Sequence, residues 1–178
     1  MTHARSIRAA LALLAVLSVT AAHAGGADAP GGVTVLPRAC RDGYVRPDFA
    51  ALTRQLRAAR ARWAAAGVRD YTYDLHQIAA PVLFPDTRVS VRAGRAVSSA
   101  ILPGQEGAPN QLARKTVEER FDDIARTLSL RRAAPCPEVR VSFDPRSGYP
   151  THFYSGLGDA GIMDGFGEWT LTRLTPTR

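Results

Sequence analysis

Three groups of side chains in this 178-residue chain have types and spacings that could do chemistry. His76 and His152 each stand in a stretch where apolar and polar residues alternate, and the alternation puts both on the polar side with Asp74 and Asp144. Two imidazoles and a carboxylate from neighbouring strands are a ligand set for a transition metal, and His152 with Asp144 or Asp74 is the base of a hydrolytic site. Asp159, Asp164 and Glu168 lie in and beside a glycine-rich stretch, Gly156 to Gly167, and offer hard oxygen ligands for calcium. Each set has a plainer reading. Polar residues on a solvated sheet face account for the histidines and aspartates with no ligand at all. An EF-hand alternates its carboxylates and closes with Glu at the twelfth position, whereas Asp159 and Asp164 are five positions apart. Neither a metal nor another cofactor is expected.

Nucleophilic catalysis finds no frame. Ser98, Ser99, Ser142, Ser147 and Ser155 lie in no G-x-S-x-G elbow, and no glycine stretch follows a strand and opens a helix as a phosphate cradle does. No catalytic residue is therefore assigned. The same polar face also carries Tyr154, Arg140 and Thr72, and Tyr and Arg are residue types that binding surfaces favour. With His152 they form the candidate binding surface. The function expected is a non-catalytic binding or assembly module of the cell envelope, its partner an envelope protein or polymer; the alternative is a hydrolase with a His/Asp site on the open sheet face.

Those side chains must be held by a short list of elements. Val139 to Tyr154 reads as two strands reversing through Asp144-Pro145-Arg146-Ser147-Gly148, with Gly148 supplying the positive φ. Asp48 is an N-cap for a helix with an apolar stripe of Phe49, Leu52, Leu56, Ala59 and Trp63, stopped at Gly67. Tyr71, Tyr73 and Leu75 alternate as a first strand. Ala79 to Asp86 is bracketed by Pro81 and Pro85 and reads as irregular; its Val82, Leu83 and Phe84 either fold back onto the core or form the lip of a binding surface. A hairpin turning at Ala93-Gly94 follows. Thr116 and Glu119 make a capping box for a second helix with Val117, Phe121, Ile124 and Leu128 on its apolar side. Trp169 and Leu171 mark a last strand. The expected architecture is α+β, with two helices packed on one face of a mainly antiparallel sheet in the order α-βββ-α-βββ. The element order suggests two similar halves. Trp63, Leu56, Phe121, Ile124, Tyr73, Val91, Val141, Phe153 and Trp169 should share one core.

Composition gives an address. Arg5 and Arg8 precede an apolar run from Ala9 to Val19, and Ala22-His23-Ala24 suits a signal peptidase, so residues 1–24 read as a secretory signal cleaved after Ala24. The apolar run is about half of the roughly 20 residues a spanning helix needs, so no transmembrane segment is expected after processing. Residues 25–39 read as a flexible arm and 40–178 as a single α+β domain, secreted or periplasmic. The formal net charge is +7, and the bases are arginine apart from Lys115. That charge reads first as solvated surface and second as a preference for an anionic envelope polymer, membrane surface or nucleic acid. No basic run with interleaved aromatics suggests nucleic acid. Cys40 and Cys136 are an even pair in an exported chain, which favours a disulfide over two separate buried thiols.

Certain of these residues also resemble a known family. A Trp near the end of an opening helix, then Asp70-Tyr71-Thr72-Tyr73, a capped helix with an F-x-x-I core, and a strand running into Asp144 and Gly148-Tyr149-Pro150-Thr151 resemble the domain-of-unknown-function family 6174, made of short exported bacterial proteins and lipoproteins. The resemblance covers roughly Ala51 to Leu174. This chain departs in lacking a lipoprotein Cys and in its Pro-containing loop at Ala79 to Asp86. The resemblance implies export and this element order, and transfers no catalytic residue.

Overall fold

Helix α1 (Phe49–Ala66) begins where Asp48 accepts the Ala51 amide at 2.9 Å and ends at Gly67, whose φ of 63° lets its amide turn back to the Ala64 carbonyl. Helix α2 (Val117–Arg131) starts with the expected capping box, the Thr116 hydroxyl accepting from the Glu119 amide while the Glu119 carboxylate accepts from the Thr116 amide. The computed structural model describes residues 39–159 and 165–177. The expected signal peptide, the arm apart from Ala39, and Asp164 lie outside the described residues.

Seven strands follow the period-two patterns: β1 (Tyr71–Ala79), β2 (Val82–Leu83), β3 (Thr87–Arg92), β4 (Arg95–Ile101), β5 (Pro137–Phe143), β6 (Pro150–Leu157) and β7 (Gly167–Pro176). Their order across one antiparallel sheet is β4-β3-β1-β7-β6-β5, with β2 pairing the far end of β1. The α+β arrangement is as expected. Both helices contribute to the single core on one face of the sheet: Leu56, Ala59 and Trp63 of α1 and Phe121, Ile124 and Leu128 of α2 meet Tyr71, Tyr73, Val89, Val91, Phe153, Trp169 and Leu171. The nine expected core residues are all there, Val141 only partly buried because it stands on the edge strand β5.

Two expectations about the chain's organisation need correction. Ala79 to Asp86 is not wholly irregular and does not fold back: β1 runs on to Ala79, β2 pairs with it, and Val82 and Leu83 are exposed, Leu83 at 65%. The ladder can continue because neither Val82 nor Leu83 is a proline, while Pro81 and Pro85 mark its two ends. The two halves are also not copies of each other. Each places its strands in the same left-to-right order, β4-β3-β1 and then β7-β6-β5, but antiparallel pairing gives equivalent strands opposite directions. With both helices on one face, no rotation superposes the two halves.

The residues that carry the family resemblance hold this frame together. The Tyr71 hydroxyl accepts the Val117 amide at 2.8 Å and the Tyr73 hydroxyl donates to the Lys115 carbonyl at 2.6 Å, so the first strand positions the start of α2. Trp63 meets Tyr71 edge-on at 5.4 Å and donates to Glu118 at 2.7 Å. Gly148 has φ 85°, and a β-carbon there would press into the Ala59 carbonyl and lie 2.9 Å from Arg62 Cβ, so the β5–β6 turn sits directly against α1. Arg120, buried beneath α2, donates to the Ala113 carbonyl at 2.7 Å and stacks over Trp169 at 5.2 Å, tying the preceding loop to the core. Cys40 and Cys136 form a disulfide with their Cα atoms 5.5 Å apart, which anchors the start of the domain to the entry of β5.

Candidate functional site: the open sheet face

The face of the sheet away from the helices is built by the alternate residues of every strand. Pairing sets its rows: Arg88–Asp74–Thr172, then His76–Thr170–His152–Ser142, then Ile78–Glu168–Tyr154–Arg140. His152, Tyr154 and Arg140 are therefore neighbours, as a shared binding surface requires. Thr72 faces the same way but sits six residues from Ile78 along β1, roughly 20 Å down the strand. It does not belong to the same patch.

The charged groups of this face are partnered. The Asp74 carboxylate is gripped from two sides, by Arg88 at 2.7 and 3.0 Å and by Arg173 at 2.5 Å. Arg173 reaches it because the β1–β7 register slips between Thr72 and Asp74, where Arg173 takes φ 52°. Hydrogen bonding from Arg88, reinforced by the charges of both guanidiniums, holds Asp74 below the usual aspartate value. His76 Nδ1 lies 2.7 Å from Asp86, and His152 Nε2 lies 2.7 Å from Glu168.

These pairings correct the chemistry expected of the histidines. His152 meets Glu168, not Asp144 or Asp74. Asp144 stays in the β5–β6 turn, where Oδ1 accepts from the Arg146 and Ser147 amides and from the Ser147 hydroxyl. Those bonds, chiefly from the Ser147 backbone, lower its pKa. His76 and His152 do not converge either: Thr170 pairs with both, so β7 separates their backbones by roughly 9.5 Å. Of the residues weighed as calcium ligands, Glu168 is engaged with His152 and Asp159 is buried beside the Cys40 bridge. No group of three or more metal-ligating side chains occurs among the described residues.

The best-organised part of the face lies at the β5–β6 end. Tyr154 spreads its ring across Gly156, where a β-carbon would come within 2.6 Å of the phenol oxygen. Phe166 stacks on that ring at 5.6 Å, and the Arg140 guanidinium lies 3.9 Å from its centroid. Glu138 completes the cluster, paired with Arg41 and 3.8 Å from Arg140. Burial, helped by the Glu138 carboxylate, raises the Tyr154 phenol above its ordinary pKa. Chemically this is a rigid cation-on-aromatic ledge with a protonated phenol, suited to contact rather than to proton transfer. The exposed β2 pair, Val82 and Leu83, stands at the same end of the sheet, because Ala80 bonds the Phe166 carbonyl at 3.0 Å.

Sequence reasoning missed Phe166, Glu138, the pairing of Glu168 with His152 and the two guanidiniums on Asp74. Glu138 was readable, since it stands two positions before Arg140 on β5 and so faces the same way. The rest depend on strand order and on a bulge that no local pattern announces.

A family model described as a family of unknown function, DUF6174, matches residues 55–156. No curated protein and no solved structure matches the chain.

Proposed function

The chain belongs to the DUF6174 family of unknown function, and from that premise we propose that it is an exported, non-catalytic binding or assembly module of the cell envelope, presenting its open sheet face to a protein or polymer partner. The observation that carries this reading is the ledge of Arg140 on Tyr154 on Phe166. Such a surface has its side chains fixed before the partner arrives, so little rotamer freedom is lost on contact. The Arg140 side chain remains 59% exposed. The family-motif residues Trp63, Tyr71, Tyr73 and Gly148 are spent on packing, which leaves them no catalytic role. Export is supported by the leader-like residues 1–24 and by the Cys40–Cys136 disulfide, which persists in oxidising compartments.

One observation favours a second reading, a hydrolase. Ser142 stands opposite His152 in register, and His152 is bonded to Glu168. A comparison between wild type and an Arg140→Ala, Tyr154→Ala double variant separates the two. Partners pulled from an envelope extract by wild type should be lost by the variant, with its melting temperature confirming the fold. Partners retained equally would exclude this face. Ester or amide hydrolysis by wild type that disappears in His152→Ala would establish the hydrolase instead.

A further inference from the structure

We propose that the opposite, helical side of the domain docks on an anionic phospholipid surface, with Arg54, Arg57 and Arg62 supplying the attraction and Leu130 and Val45 entering the headgroup layer. Helix α1 contains four arginines and no acid in 18 residues. Arg60 is engaged with Asp122 at 2.8 Å. The other three are exposed, and no carboxylate lies within ion-pair distance of them among the described residues.

The carboxylates of α2 are engaged with other groups. Glu118 accepts from Trp63, Glu119 caps the helix, Asp122 holds Arg60, and Asp123 holds Lys115 at 2.5 Å. On the sheet side Asp74 and Glu138 are matched with arginines and Glu168 with His152. Among the described residues, exposed arginines without a carboxylate partner also stand at Arg95, Arg114, Arg132 and Arg146, but α1 holds three such residues within nine positions. Arg54 points away from the core-facing Leu56, Ala59 and Trp63, and the residues around it are Ala50, Ala58 and Ala61, too short to screen it. The three guanidiniums spread over about 12 Å of helix.

The apolar part of the patch comes from the next element. The contacts Trp63–Glu118 and Arg60–Asp122 make the two helices antiparallel, so the start of α1 lies beside the end of α2. There Leu130 is 71% and Val45 83% exposed. Val45 is held at this end because its neighbour Arg46 donates to the carbonyls of Arg132, Ala134 and Pro135. Bare aliphatic side chains beside arginines suit the boundary between headgroups and acyl chains. A single-stranded nucleic acid would call instead for exposed aromatic platforms, and the aromatic residues of α1, Phe49 and Trp63, are buried. Docked this way, the domain would turn its sheet face outward.

Flotation of the full chain with vesicles tests this. Vesicles of phosphatidylcholine with about 30% phosphatidylglycerol should carry the protein at low salt, and pure phosphatidylcholine should not. At about fivefold per basic residue, an Arg54→Gln, Arg57→Gln, Arg62→Gln triple variant should bind roughly a hundredfold more weakly. Leu130→Ser should weaken binding with all arginines intact. These positions are exposed, so unchanged melting curves should accompany both effects. The proposal fails if wild type ignores the anionic vesicles or if the triple variant binds as well as wild type. Binding to soluble polyphosphate as tight as to vesicles, and indifferent to Leu130→Ser, would also overturn it in favour of a polyanion.

Discussion

Replacing Gly148 by alanine should destabilise the domain far beyond the usual surface substitution. Two costs add. Gly148 has φ 85°, a conformation that costs an L-residue about 1 kcal/mol. The new methyl group would also press into the Ala59 carbonyl and sit 2.9 Å from Arg62 Cβ. Since Ala59 is the fully buried middle of α1, neither partner can swing aside, and overpacking of this kind costs about 1–3 kcal/mol. The sum is about 2–4 kcal/mol. Gly67→Ala is the control, because Gly67 has φ 63° but nothing within 4 Å of its would-be β-carbon, so it should lose only about 1 kcal/mol. Urea unfolding of both variants would measure the difference, with m-values checked for constancy. If Gly148→Ala costs no more than Gly67→Ala, the turn does not rest on α1 as described.

The crosslink closes a loop of 96 positions and should contribute roughly 4–5 kcal/mol by chain entropy, so a Cys40→Ser, Cys136→Ser variant should melt well below wild type; denatured, unreduced wild type should show no free thiol on titration. Tyr71→Phe should cost about 1–3 kcal/mol by leaving the Val117 amide without its acceptor, and exchange of that amide should accelerate. Asp74→Asn should cost about 2 kcal/mol at neutral pH through its two arginine partners. Its folded pKa is depressed, so its contribution is full above the ordinary aspartate value and fades as pH falls through the folded value. The variant's deficit should therefore shrink as the medium is acidified, and a deficit that grows towards low pH would refute the pairing.

Local chemistry made much of the frame readable. Asp48, Thr116–Glu119, Gly67 and Gly148 announce helix ends and a turn because each satisfies a backbone requirement within a few residues. Alternation likewise assigns Tyr154, Arg140, His152 and Thr72 to one face. What alternation lacks is the lateral coordinate. Whether His152 meets Asp74, Asp144 or Glu168 depends on β7 lying between β1 and β6, a long-range pairing with no local signature. Asp144 departs from its expected place because the turn amides of Arg146 and Ser147 outcompete the sheet face for its carboxylate. Leu83 departs because hydrophobicity alone suggests burial, while its backbone simply extends the β1 ladder.

The position of β7 has a consequence for how the molecule comes together. Among the described residues the β4-β3-β1 and β6-β5 blocks are joined in the sheet only through this strand, which is the last of the seven in sequence. Each block can zip its hairpins early, yet neither becomes part of a continuous sheet until the final segment slides between them. Such late, distant closure slows folding. Until it happens, β1 and β6 both present open edges, each a template for the same segment of another molecule. Strand exchange between copies is thus the misfolding route built into this topology. Its product would be a dimer in which both ladders of β7 are formed with the other copy.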